Sequence, residues 1–240
     1  MFLSLEDIPT FPSPFALTLG FFDGVHLGHQ KIFQALKALS MPTAVLTFTN
    51  HPGSFIKGTK DPCLINSAEQ KLYLLQKESF DLVLALAFTQ EIASLSYDQF
   101  IHKLQKKIPF THLVIGKGDA FGKGRLGSEK ALSEMGGFKV ITIEKEDNIS
   151  STLIRERIQQ GKLQEVKNLL GRPFSFYITH PNTSLSPALC LPPNGNYAGL
   201  FRQKHQKKTL NFTLKDKSLL LSTPLWDGWD NSQPLNIDIL

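Results

Sequence analysis

The stretch Phe15-Ala-Leu-Thr-Leu-Gly20-Phe-Phe-Asp-Gly-Val-His26-Leu-Gly-His29-Gln-Lys-Ile-Phe-Gln-Ala-Leu36 decides the fold. Phe15, Leu17 and Leu19 alternate along the chain as in a β-strand, glycines then punctuate a turn, and Ile32, Phe33 and Leu36 recur at helical spacing. Strand, loop and helix start follow one another without a spacer. A helix that begins at the carboxyl end of a parallel strand directs unpaired N–H groups and its positive dipole end above the sheet, where phosphate is well accommodated. His26 and His29 flank Gly28, and two imidazoles beside a phosphate can donate hydrogen bonds to oxygens that gain charge in a transition state. Taken alone, the spacing also describes a pair of metal ligands or two surface histidines. The flanking strand and helix favour a ligand site, because open α/β sheets bind their ligands at this place.

The pattern continues along the chain. Further β-rich runs at 44–48, 81–88, 112–116 and 138–143 alternate with amphipathic segments. Those segments open on Ser67 with Gln70, on Ser96 with Gln99, and on Ser128, which are capping signatures. Five strands alternating with helices predict an α/β fold with a doubly wound parallel sheet. After Gly171-Arg172-Pro173 the character changes to short β-like runs at 174–179, 197–201, 209–214, 218–222 and 235–240, which predict a small C-terminal antiparallel β module. The expected domains are 1–172 and 173–240.

Three loops carry further candidates for chemistry. Pro52 and Gly53 stop the second strand and leave His51 in the loop at its end. The fourth strand runs into a loop with glycines at 116, 118, 122, 124 and 127, able to pack its backbone against a ligand, with Lys117, Lys123 and Arg125 to meet phosphate. In Ile149-Ser150-Ser151-Thr152-Leu153-Ile154-Arg155, hydroxyls at a helix start offer a cap and phosphate hydrogen bonds, and Arg155 follows one turn on.

Composition narrows the class. With 240 residues, 41% hydrophobic and 20% charged, the chain can bury a sizeable core and is not of disordered type. The net charge of +5 suits anionic small ligands; the basic residues are scattered, so no nucleic-acid partner is expected. Cys63 and Cys190 form no Cys-x-x-Cys pair, suggesting neither a zinc site nor a disulfide framework and fitting a reducing cytoplasm. The first residues lack a basic leader, and no apolar run reaches the ~20 residues a membrane span needs. A soluble, cytoplasmic protein without a membrane partner is expected; composition leaves the oligomeric state open.

Gly20 to His29 resembles the signature of the prokaryotic FAD synthetase family, whose nucleotidylyltransferase module carries His-x-Gly-His. Three more segments are similar to the family in the same order, and the resemblance extends to about residue 175. Residues 47–52 resemble Thr-Phe-x-Pro-His-Pro, with Asn50 in place of the first proline. The glycine-rich loop resembles Gly-x-Asp-Phe-x-Phe-Gly, except that Gly118 and Asp119 stand at the Asp and Phe places; the acid is displaced by one position, while Phe121 and Gly122 stay in register. Residues 149–155 match Ile-Ser-Ser-Thr-x-x-Arg.

The resemblance implies transfer of AMP from ATP to FMN with release of pyrophosphate. His26 and His29 would be catalytic. ATP would be bound by Gly20, Phe21, Phe22 and Gly24 with the two histidines, and by Ser150, Ser151, Thr152 and Arg155. FMN would meet Asp23, His51, Pro52, Asp119, Phe121 and Gly122. Magnesium would accompany ATP, with Asp119 the one candidate protein ligand. In two-function relatives a riboflavin kinase follows Leu-Gly-Arg-Pro. This chain keeps Leu170-Gly171-Arg172-Pro173 and, at 191–199, a segment that resembles the kinase's Leu-Pro-x-x-Gly-x-Tyr-Ala. Yet Pro181-Asn182-Thr183-Ser184 stands where the kinase's Pro-Thr-Ala-Asn should fall. No glutamate follows Glu165, leaving Asp216, Asp227, Asp230 and Asp238 as the only acids. An FAD synthase without riboflavin kinase activity is therefore expected. A bifunctional enzyme, a His-x-Gly-His transferase for another phosphate acceptor such as phosphopantetheine, and a non-catalytic flavin- or nucleotide-binding protein are the alternatives.

Overall fold

The computed structural model describes residues 4–55, 62–144, 148–178, 184–225, 229–230 and 233–240. The strand that opens the quoted stretch, β1 (Phe15–Leu19), is the middle of a parallel sheet. With β2 (Thr43–Phe48), β3 (Leu82–Leu86), β4 (Phe110–Gly116) and β5 (Lys139–Ile143) it forms the order β3-β2-β1-β4-β5, every neighbour parallel. Parallel neighbours need crossovers, and helices supply them. In chain order these are α1 (Leu27–Lys37), α2 (Ala68–Gln76), α3 (Gln90–Ser94), α4 (Tyr97–Lys107) and α5 (Glu129–Glu134). The chain winds outward through β2 and β3 and returns to the other side of β1 with β4, so the carboxyl ends of β1 and β4 make the switch point of the sheet.

Strand periodicity explains how both faces are covered. Ala16, Val45 and Val114 pack with Ile32, Phe33 and Leu36 of α1. Leu17, Leu19, Leu46, Leu113 and Ile115 pack with Phe100, Ile101 and Leu104 of α4 and Leu132 of α5. Every residue of β1 and β2 is accordingly buried, as a strand covered on both faces must be. The edge strand β3 begins only half-buried. Phe33 and Leu36 are wholly buried, and each contributes roughly 1.5–3 kcal/mol by leaving water.

The second sheet is antiparallel, as the sequence predicts. β6 (Ser175–Ile178), β7 (Gly195–Gln203), β8 (Gln206–Lys215), β9 (Ser218–Leu221) and β10 (Leu235–Ile239) pair in the order β6-β10-β7-β8-β9. Phe174, Phe176, Phe201, Phe212 and Ile237 fill its core, together with Ile154 and Ile158 of α6 (Ser151–Gln159) and Val166 and Leu170 of α7 (Leu163–Leu170). Packing divides the chain into two compact units, residues 1–62 with 72–147 and residues 63–71 with 148–240. The motif boundary at 172/173 falls inside the second unit, because α6 and α7 share the core of the β module.

One expectation needs correction. Cys63 and Cys190, 127 residues apart, are joined as a disulfide with their Cα atoms 4.8 Å apart. The cause is a parallel bridge that pattern reading does not see: Leu64 N–H donates to Ala188 O at 2.6 Å and Cys190 N–H to Leu64 O at 2.8 Å. Among the described residues, no helix is long and apolar enough to cross a membrane.

Candidate active site

The β1–α1 loop is held from both sides before any ligand is considered. Gly20 N–H donates to Leu46 O at 3.0 Å, and Thr47 Oγ1 donates to Phe21 O at 3.0 Å, tying the loop to β2. Val25 N–H then closes a turn onto Phe22 O at 3.1 Å, with Gly24 at φ +83°, the value that a type II turn asks of glycine. Phe22 and Val25 also have positive φ, +51° and +42°. Side-chain-bearing residues hold such angles only when their surroundings fix them, and this strain collects at functional loops. The Phe22 ring is fixed edge-on between His29 and Phe33, both with centroids 5.2 Å away. Asp23 is buried in the same turn.

His26 is the N-cap of α1, a role that its place in the motif conceals. It has extended backbone, and its Nδ1 accepts a hydrogen bond from His29 N–H at 3.3 Å, in place of the usual Ser, Asp or Asn oxygen. A neutral ring that accepts at Nδ1 carries its proton on Nε2. His29 stacks on it, centroids 3.5 Å apart and planes 18° from parallel. Both imidazoles therefore sit at the positive end of α1, beside the switch point of the sheet. His26→Ala is expected to lose about 1 kcal/mol of stability with the cap. His26→Asn, which supplies a capping oxygen, should melt near the wild type, and thermal unfolding at identical loss for both variants would rule the cap out.

The loop after β2 brings His51 to the same rim. Its ring lies edge-on to Phe21 with centroids 4.9 Å apart, and its Nδ1 accepts Gly53 N–H at 2.9 Å. Pro52 opens the short 3₁₀ turn Pro52–Phe55.

The loop after β4 is more self-contained than its glycines suggest. Asp119 Oδ2 accepts Gly116 N–H at 3.0 Å, while Asp119 N–H donates to Gly116 O at 2.9 Å. The displaced acid thus closes its own turn. Phe121 and Gly127 exchange backbone hydrogen bonds at 3.1 and 3.0 Å. A Cβ on Gly122 would lie 2.3 Å from Tyr97 N, and one on Gly127 would lie 2.4 Å from Tyr97 Cβ. Those two glycines are required by the start of α4. Lys117 bonds Glu144 at 2.6 Å; that hydrogen bond and the charge behind it hold the ammonium above the ordinary lysine range.

In the second unit, Ser150 caps α6 by accepting Leu153 N–H at 3.2 Å. Ser151 and Thr152 form the first turn, and Arg155 follows one turn on, between the buried Ile154 and the residues that lead to Ile158. Cap, hydroxyls and guanidinium come in the order that the sequence suggests.

The acids considered for a kinase have other partners. Asp216 Oδ1 accepts from Asn194 at 3.0 Å, Asp230 pairs with Lys204 at 2.9 Å, and Asp238 pairs with Arg202 and accepts from Asn236. Pro181, Asn182, Thr183 and Asp227 lie outside the described residues. Sequence reasoning missed the cap made by His26 and the turn closed by Asp119. The second could have been found, since an acid three residues after a strand-ending glycine is a common side-chain-to-backbone turn.

Comparison with known proteins gives the family of the chain and the likeness of its fold. The FAD synthetase family model matches residues 8–155. A bifunctional riboflavin kinase/FMN adenylyltransferase from Buchnera aphidicola subsp. Schizaphis graminum is 34% identical over 173 residues, 67% of this chain and 55% of the relative. Proteins of the same name are similar in Haemophilus influenzae, 36% identical over 70% of this chain and 59% of theirs, and in Bacillus subtilis, 30% identical over 76% and 66%. The chain thus spans little more than half the length of the first of these relatives. A solved structure titled macrolide-efflux protein, from Streptococcus pneumoniae, superposes with a TM-score of 0.80 over 100% of this chain and 90% of its own at 22% identity, a likeness of fold. With residues 8–155 under one family model and 34% identity to the first of these relatives over the 173 aligned residues, the chain belongs to the FAD synthetase family.

Proposed function

We propose that the chain transfers AMP from ATP to FMN and releases pyrophosphate. The observation that carries this reading is the stacked His26–His29 pair at the start of α1, beside the switch point of the parallel sheet. The family and the names of the relatives supply the choice of flavin. The FMN phosphate is already an anion and attacks the α-phosphorus directly, so no side-chain base is needed. The site has to align the attack and meet the charge that moves onto the α-phosphoryl and leaving oxygens. His26 offers Nε2–H to those oxygens, and His29 offers its ring beside it. Ser151, Thr152 and Arg155 take the β and γ phosphates, supported by the capped start of α6. Gly20, Phe21, Phe22 and Gly24 shape the wall for the nucleotide. His51, Pro52, Phe121 and Gly122 serve the flavin, with Asp23 and Asp119 as the acids on that side.

Magnesium enters as part of the ATP complex. Among the described residues no group of three or more His, Cys, Asp or Glu could hold a metal, and Asp119 already accepts a backbone bond. For residues 173–240 we propose a structural or docking role without riboflavin phosphorylation: a neutral hydroxyl acceptor benefits from a base, and the partners of Asp216, Asp230 and Asp238 occupy those carboxylates.

The test offers riboflavin and FMN separately, each with ATP and magnesium, and identifies the flavin products by chromatography and mass. FAD from FMN and no FMN from riboflavin is the expected outcome. FMN formed from riboflavin would overturn the second half, and FMN returned unchanged would overturn the first. Arg155→Ala should weaken ATP binding about tenfold, since ground-state phosphate is already charged; undiminished affinity by calorimetry would remove Arg155 from the triphosphate.

A further inference from the structure

Asn50 stands where the family's pattern has proline, and its side chain does something proline cannot. β2 ends at Phe48 and β3 at Leu86, and the ladder between them runs on for one backbone bond, Thr49 N–H to Leu86 O at 2.9 Å. One residue later the main chain turns away toward His51. The Asn50 amide then takes over as the strand partner: Nδ2 donates to Phe88 O at 2.9 Å, and Oδ1 accepts Phe88 N–H at 2.8 Å. A primary amide, as in Asn and Gln, carries its donor and its acceptor on two atoms of one planar group, so it can answer a peptide's C=O and N–H together.

The residue so clamped anchors the rest of the loop. The Phe88 ring lies against Phe48, centroids 5.0 Å apart, and against Phe55, 5.5 Å apart, at the far end of the turn that follows His51. His51 is in turn edge-on to Phe21 in the histidine-bearing loop. Both ends of the segment 50–55 are thus hung on Phe88, one by hydrogen bonds and one by ring contact, with the His51 ring presented between them.

Resting on the reading that this loop serves FMN, we propose that Asn50 is a positioning residue for the flavin: it acts through Phe88 to hold the His51 loop in place for a planar aromatic ring system. It touches no reacting atom. Its loss should therefore be felt in flavin affinity and spare ATP affinity. The amide's two backbone bonds replace the rigidity that a proline ring would give the same turn.

The experiment is a double-mutant cycle read by FMN and ATP binding to the full chain, using Asn50→Ala, His51→Ala and the pair. Asn50→Ala should weaken FMN about tenfold and leave ATP binding within twofold. The double variant should bind FMN no more weakly than His51→Ala alone, because the clamp has nothing left to position. Asn50→Asp keeps the acceptor for Phe88 N–H but turns a second carboxylate oxygen on the Phe88 carbonyl, and should weaken FMN at least as much as Asn50→Ala. Additive effects in the cycle, unchanged FMN affinity in Asn50→Ala, or parallel loss of FMN and ATP binding would each overturn the proposal. Wild-type protein that binds ATP and not FMN would instead overturn the flavin reading on which it stands.

Discussion

His29→Ala is expected to lower turnover about a hundredfold while ATP affinity stays close to the wild type, the loss of roughly 3 kcal/mol that one preorganised donor supplies in the transition state. The structure makes this a clean substitution. His29 contributes its backbone N–H to the His26 cap, and alanine keeps that N–H and is a better helix former than histidine. The change removes a ring that stacks on His26 and packs edge-on to Phe22, neither of them a main-chain contact. Folding should survive, and the defect should appear in kcat with KM for ATP little moved, the pattern of an interaction made chiefly in the transition state. Steady-state kinetics beside a melting curve decide the matter. A wild-type turnover number would remove His29 from the chemistry, and a rise confined to KM would make it a ground-state phosphate ligand.

Gly122→Ala should be the most damaging change outside the histidines, and for a reason unconnected with ligand. Gly122 has φ +72°, and a Cβ there would meet Tyr97 N at 2.3 Å and Tyr97 Cα at 2.6 Å. Backbone atoms at the start of a helix cannot rotate aside as a side chain would. Left-handed strain and overpacking together come to about 3 kcal/mol, or a fall in melting temperature of about 10 °C. Gly118→Ala is the control: its φ is +76°, yet nothing lies within 4 Å of its Cβ, so only the backbone strain of about 1 kcal/mol remains. Equal melting shifts in the two variants would show that contact with Tyr97 is not what demands glycine at 122.

Much of the fold is legible because its determinants are local. Alternating Phe15, Leu17 and Leu19 followed by Ile32, Phe33 and Leu36 at helical spacing describe β1 and α1 directly, and Ser67, Ser96, Ser128 and Ser150 each accept or complete a cap where the pattern places one. Gly171 likewise marks a helix end in the left-handed conformation. What stays hidden is what depends on distant partners. The Leu64–Leu189 bridge that brings the cysteines together has no sequence signal, since each half is a single extended residue. The sharing of the β-module core by Ile154 and Val166 moves the packing boundary ahead of the motif boundary for the same reason.

Of the candidate site, residue identities were easier to read than the job each performs. The His-x-Gly-His spacing points to two imidazoles at a helix start, but not to His26 closing that helix with its own Nδ1. The glycines after β4 suggest room for a ligand, and two of them, Gly122 and Gly127, also leave room for Tyr97. Asn50 looks like the simple loss of a proline until its two bonds to Phe88 are seen. In each case the missing information is which backbone group a side chain satisfies, and that is fixed only when the strands are aligned.

Passage of AMP to the phosphate of FMN is tested most directly by supplying ATP labelled at the α-phosphate together with equal FMN and phosphopantetheine, then following the label. Label is expected in FAD, with an equal amount of pyrophosphate and none in a pantetheine product. Label transferred to phosphopantetheine, or label that stays in ATP while both acceptors are recovered unchanged, would contradict it.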